Sequence, residues 1–184
     1  MNIRSLFAVM ALAFVLGGCS TAKVDPNDDS VSLVYGYFDM KDAPSNLEWV
    51  SLKQYGGKKN KDGDYWGTSV KDGLFFHVGL PTGSYQVSGF GGTGGIPLLT
   101  RRPFEYDYGS LGRNGTAVRI QKPGLYFLGS HKYVEQKRGK FDMKSTKQPT
   151  EKELLQRLLK ELQTDKYSMY MRQIGMVKQR LSEL

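Results

Sequence analysis

The sequence predicts a mainly β protein, an antiparallel β-sandwich closed by a C-terminal α-helical hairpin. Three observations predict it. Glycine is abundant, 22 of 184 residues, and 18 of those 22 lie between Gly36 and Gly129. Across the same stretch, short runs rich in aromatic and β-branched residues recur at intervals of roughly ten residues, divided by Gly, Asn, Asp or Pro. From Thr150 the pattern changes to leucines at helical spacing. With 39% hydrophobic and 24% charged residues, the chain can build a core. A disordered, collagen-like or multi-span membrane protein is thereby excluded. A single Cys excludes a disulfide framework and any multi-cysteine metal site.

The first element is a targeting segment. Residues 1–18 hold one charge, Arg4, and then an apolar run from Leu6 to Leu16. Eleven residues are too few to span about 30 Å of hydrocarbon but suit the core of a signal peptide. The run ends in Leu16-Gly17-Gly18-Cys19, which resembles the lipobox of bacterial lipoproteins. That resemblance implies a diacylglycerol thioether on Cys19, with an amide-linked acyl chain (palmitate or similar) as a further anchor. It also implies the outer membrane, facing the periplasm, because Ser20 stands where inner-membrane retention uses Asp. No cofactor is expected beyond this covalent lipid. Residues 19–30 are polar and read as a flexible tether to the membrane.

Seven runs then have strand character: Val31–Phe38, Leu47–Tyr55, Leu74–Val78, Ser84–Phe90, Phe104–Tyr108, Thr116–Gln121 and Leu125–Ser130. Asp62-Gly63, Asp72-Gly73 and Asn114-Gly115 supply the positive φ that tight turns need. The sandwich is expected over residues 31–145. Two segments match in form: Leu80-Pro81-Thr82-Gly83-Ser84-Tyr85-Gln86-Val87 and Lys122-Pro123-Gly124-Leu125-Tyr126-Phe127-Leu128. Each reads as strand, Pro, Gly, then a strand with Tyr at its second or third position, and a hairpin is expected at both. The first resembles a hairpin motif of carboxypeptidase-regulatory-like and other prealbumin-like β-sandwiches. The resemblance implies the fold and no activity, since such domains serve as spacers, binders and accessory modules.

Residues 146–184 form the helical segment packed on the sandwich. Thr150 and Glu153 make a capping box ahead of Leu154, Leu155, Leu158, Leu159 and Leu162. After a break near residues 163–165, Tyr167, Tyr170, Met171, Ile174, Val177 and Leu181 form a second apolar stripe.

Candidate sites are few. Gly89-Phe90-Gly91-Gly92-Thr93-Gly94 has the G-x-G-x-x-G spacing, but Pro97 and Pro103 follow where a nucleotide-binding helix would start. The stretch Gly89–Gly95 therefore reads as a loop. Arg101 and Arg102 beside it are suited to a phosphate or carboxylate. Tyr65 and Trp66, with Trp49, are candidates for stacking on a sugar, although Trp49 reads as a core residue of its strand. His77 and His131 lack metal-ligand spacing, so no metal is expected. The nucleophile elbow G-x-S-x-G is absent, and no catalytic residues are expected.

Charge completes the reading. The net charge is +8, and removal of residues 1–18 leaves 25 − 18 = +7. Residues 19–130 hold 12 basic and 11 acidic groups, and residues 131–184 hold 13 and 7. The excess thus belongs to a basic tail that includes Lys137, Arg138 and Lys140. Nucleic acid is not expected as a partner in that compartment; anionic lipid headgroups, an anionic glycan or an acidic protein partner are. The expected function is a non-catalytic envelope binding module. The rival classes are a small envelope hydrolase with dispersed catalytic residues and a surface-exposed structural or adhesion factor.

Overall fold

A computed structural model describes residues 25–26, 28–56, 64–65, 68–95, 101–107, 115–137 and 140–184, with residues 64–65 as backbone. Among these residues, ten strands precede two helices. The strands are β1 (Ser32–Asp39), β2 (Trp49–Tyr55), β3 (Asp64–Tyr65), β4 (Ser69–Lys71), β5 (Leu74–Leu80), β6 (Gly83–Gly94), β7 (Arg102–Asp107), β8 (Ala117–Ile120), β9 (Leu125–Glu135) and β10 (Phe141–Thr146). The helices are α1 (Glu151–Leu162) and α2 (Met171–Ser182). All seven runs picked out in the sequence are strands. One sheet has the order β10-β9-β1-β5-β4, and the other β3-β2-β6-β7, with β8 also on β6. Pairing is antiparallel throughout except for β1 with β9.

The first sheet is the middle layer of three. Along β1, Val34 and Phe38 point to the second sheet, into a core with Val50, Leu52, Phe75, Tyr85, Val87 and Phe90. Leu33 and Tyr35 point the other way, into a second core with Phe76, Leu154, Leu155, Leu158, Leu162 and Val177. Strand alternation serves both faces at once, so β1 is almost wholly buried. Gly129, at φ +91, lets β9 bulge by one residue, so that Tyr35 pairs with Phe127 but Tyr37 with Ser130. That shift keeps Tyr133 in the inter-sheet core.

The two Pro-Gly segments are not hairpins. Each carries the chain from one sheet to the other: β5 to β6 at Pro81, and β8 to β9 at Pro123. Their likeness extends to a hydrogen bond. The Tyr85 hydroxyl donates to the Pro81 carbonyl at 2.9 Å, and the Tyr126 hydroxyl donates to the Lys122 carbonyl at 2.7 Å. A carbonyl freed by leaving the ladder thus finds a donor four residues on.

Gly89–Gly94 is also not a loop. It is the second half of β6, paired with β7 through Gly89↔Asp107 to Gly94↔Arg102. Glycine is needed there for close approach. A Cβ on Gly92 would collide with the Asn46 carbonyl, and one on Gly91 would lie 2.7 Å from Trp49 Cζ2. β10, which the sequence reading did not pick out, is an edge strand whose exposed Asp142 and Lys144 blunt it against further pairing.

The helical hairpin is present, and its first helix starts where its cap predicts. Thr150 N–H donates to Glu153 Oε2 at 2.7 Å, and Glu153 N–H donates to Thr150 Oγ1 at 3.3 Å. The second stripe differs from expectation at Met171, which is 69% exposed, because α2 begins at that residue and turns it outward. The basic tail is not helical as a whole either. Residues 131–147 hold six Lys/Arg and two Asp/Glu, and of these Lys132, Lys137, Lys140 and Lys144 are described in β9, β10 or the connection between them.

Since β1 and β9 run parallel, the first sheet has two well-defined ends. Leu33 pairs with Leu125 at the end where the chain enters, and Asp39 pairs with Lys132 toward the other. β9 continues to Glu135, so the ends lie about 30 Å apart at ~3.3 Å per residue.

Candidate functional site

At the end remote from chain entry, the second sheet forms an open cleft of about 280 Å³ lined by Glu48, Trp49, Gly92, Thr93, Pro103, Phe104 and Glu105. Its place follows from ring contacts. Phe90 meets Phe38 at 4.9 Å and Phe141 at 5.6 Å, while Tyr106 meets Tyr133 at 5.6 Å. Phe38, Tyr133 and Phe141 are all at the distal end of the first sheet. Gly91–Gly94 and β7 therefore sit there too.

The cleft is assembled across β6. On one flank the β2 ladder is prolonged backward, with Glu48 N–H donating to the Gly91 carbonyl at 2.8 Å and Asn46 N–H to the Thr93 carbonyl at 3.1 Å. This places Glu48 beside Thr93, whose hydroxyl donates to Glu48 Oε1. On the other flank Gly91 pairs with Glu105, Gly92 with Phe104 and Thr93 with Pro103. The Trp49 indole lies across β6 where there are no side chains. A Cβ on Gly91 would be 2.7 Å from Cζ2 and 2.8 Å from Cε2, and one on Gly89 would be 3.7 Å from Cη2 and Cζ3. The ring is half-buried and belongs to neither core, which corrects its reading as a core residue.

An aromatic face held against glycine backbone, with carboxylate acceptors on both flanks and a threonine hydroxyl, is the equipment for a ligand that has an apolar C–H face and hydroxyl donors. The two carboxylates disfavour a negatively charged group inside the cleft. Cations lie nearby instead. Lys140 directly precedes Phe141, whose ring touches Phe90 and Tyr106, and both Lys137 and Lys140 are exposed. Lys132 is already paired with Asp42 at 2.8 Å.

The residues singled out from sequence fare unevenly. Arg101 and Arg102 are exposed at the start of β7, next to the cleft wall at Pro103, but they do not line it. Tyr65 is in β3, paired with Leu52 on the opposite edge of the sheet from Arg102. Two strands intervene, about 14 Å at ~4.8 Å per strand, so the tyrosine and the arginines do not form one site. Trp66, Arg138 and Cys19 lie outside the described residues. Glu48, Thr93 and Glu105 were not foreseen. The one available signal was a tryptophan in a strand whose partner carries glycines at two-residue spacing.

His77 and His131 sit on strands to either side of β1, opposite Val34 and Phe38, so sheet geometry keeps them about 15 Å apart. His77 accepts a hydrogen bond from Gly79 N–H at 3.0 Å, and burial pushes its pKa down to about 4. His131 Nε2 donates to the Leu128 carbonyl at 3.0 Å. Among the described residues no group of three His, Cys, Asp or Glu side chains is placed to hold a metal ion, and no helix is long and apolar enough to cross a membrane.

Fold and cleft together define a class: a β-sandwich backed by a helical hairpin, with an aromatic cleft at one end. No family model, curated protein or solved structure matches the chain.

Proposed function

We propose that this protein is a non-catalytic, lipid-anchored module of the cell envelope that binds a partner protein or an anionic envelope polymer. Leu16-Gly17-Gly18-Cys19 supports the anchor, with acyl chains on Cys19 holding the domain to the outer membrane from the periplasmic side. The observation that carries the binding role is the Trp49 ring laid on Gly89 and Gly91 between Glu48 and Glu105. On this reading an uncharged sugar face of an envelope polymer stacks on Trp49, and acidic groups along the polymer meet Lys137, Arg138 and Lys140.

Two experiments test the reading. Cys19→Ala should release the protein from the outer-membrane fraction, and unchanged fractionation would contradict the anchor. Trp49→Ala should lower retention on insoluble peptidoglycan at least tenfold, whereas equal retention would contradict the role of the cleft.

A second reading, a small envelope hydrolase, draws on one observation: Glu48 and Glu105, 57 residues apart in sequence, line the same cleft. Glycan cleavage by the natural protein that is lost in Glu105→Gln would favour it. Binding without turnover favours the module.

A further inference from the structure

We propose that the connection between α1 and α2 is a lipid-docking surface, with Met169 and Met171 inserted among the headgroups of the bilayer that anchors the chain. The proposal rests on the lipid-anchor reading given above. Met169 is 56% exposed and Met171 is 69% exposed, an unusual degree for methionines flanking the start of a helix that is otherwise well packed. Their place relative to the tether says what covers them. Arg172, the next residue, donates through Nη1 to the Val31 carbonyl at 3.0 Å, just ahead of β1, and its charge also acts on Asp28. The two methionines therefore lie within three residues of a contact with the point at which the tether joins the domain.

Tether length keeps that point close to the membrane. Twelve residue steps, across eleven intervening residues, separate Cys19 from Val31, at most about 42 Å when fully extended. As the flexible chain that its composition predicts, the tether has a typical reach of about 19 Å. That is shorter than the roughly 30 Å between the two ends of the first sheet, so the entry end is the one held against the bilayer.

Charges of both signs adjoin this surface. Lys166 lies 4.7 Å over the Tyr167 ring next to Asp165 in the chain, and Arg172 acts on Asp28. Docking thus comes from apolar insertion of soft, unbranched side chains, and added salt should leave it in place.

The test uses the full lipidated chain in vesicles containing a doxyl-labelled phosphatidylcholine quencher, with a fluorophore on S168C or, as a distal control, on K140C. Quenching at residue 168 should exceed that at residue 140 at least threefold, persist in 0.5 M salt, and fall to the control level with M169S/M171S while the protein still floats with the vesicles. Equal quenching at the two positions, or no change with M169S/M171S, would overturn the docking surface. Failure of the natural protein to float would overturn the anchor reading and the docking surface with it, an outcome distinct from a chain that floats but is unquenched at residue 168.

Discussion

The two ends of this molecule present different surfaces. At the distal end, rings and glycines meet. Phe38, Phe90, Tyr106, Tyr133 and Phe141 pack ring against ring, and bare backbone at Gly91 and Gly92 accepts the Trp49 indole and the Asn46 carbonyl. On the helix-facing side of the first sheet, leucines of α1 pack with Leu33, Tyr35 and Phe76, and at the start of α2 two methionines remain on the surface. The difference teaches how one charge excess can be misread. The β9–β10 hairpin carries Lys132, Lys137, Lys140 and Lys144 against Glu135 and Asp142, while residues 148–184, which include both helices, hold seven basic and five acidic groups. Cations at the end remote from the tether suit an acidic partner across the periplasm better than the bilayer of the anchor.

The comparison can be broken or sharpened by stability measurements, beginning with the largest effect. His77 is the middle residue of β5, and its folded pKa of about 4 is below the ordinary 6.5. The unfolded chain takes up a proton near pH 6.5 and the folded chain only near pH 4, so stability present at pH 7 is lost as pH falls through that window. Urea denaturation should show about 2–3 kcal/mol less stability at pH 4.5 than at pH 7 on account of this group. His77→Asn keeps an acceptor for Gly79 N–H and should remove that part of the slope; an unchanged slope would place the sensitivity elsewhere.

Next come two glycines with opposite signs. Gly92→Ala at the distal end forces a methyl group onto the Asn46 carbonyl and should cost about 1–3 kcal/mol. Gly175→Ala, in the middle of α2 with open space around it, should instead stabilise by about 0.5–1 kcal/mol through helix propensity. Thermal melts of the pair decide this; the same sign for both would show that the distal backbone yields more readily than its contacts imply. The smallest effect concerns the two sheet-crossing tyrosines. Tyr85→Phe, at a buried position, should cost about 1 kcal/mol, and Tyr126→Phe, whose hydroxyl is exposed, under about 0.5 kcal/mol.

Much of the fold was legible because local chemistry and tertiary packing agree. The capping box at Thr150 and Glu153 predicts the start of α1, and alternating runs such as Val31–Phe38 predict strands. Elements failed where the signal was tertiary. The Pro-Gly segments carry turn chemistry that serves a hairpin and a crossing between sheets equally well, and only partner strands decide between them. Gly89–Gly94 looks like a loop because glycine usually signals backbone freedom, whereas here it marks surfaces pressed together. Phe141–Thr146 is polar because it is an edge. The cleft was legible only through Trp49. Glu48 and Glu105 are ordinary surface residues in sequence, and it takes the β2–β6–β7 register to bring them together.

The central claim is that the two ends do different work, one against lipid and one against an envelope ligand. Its most direct test is photo-crosslinking in cells that produce the full chain, with a benzophenone amino acid at position 171 or at position 105. The account predicts phospholipid adducts from position 171 and glycan or protein adducts from position 105. Phospholipid adducts from position 105, or the same adducts from both, would contradict it.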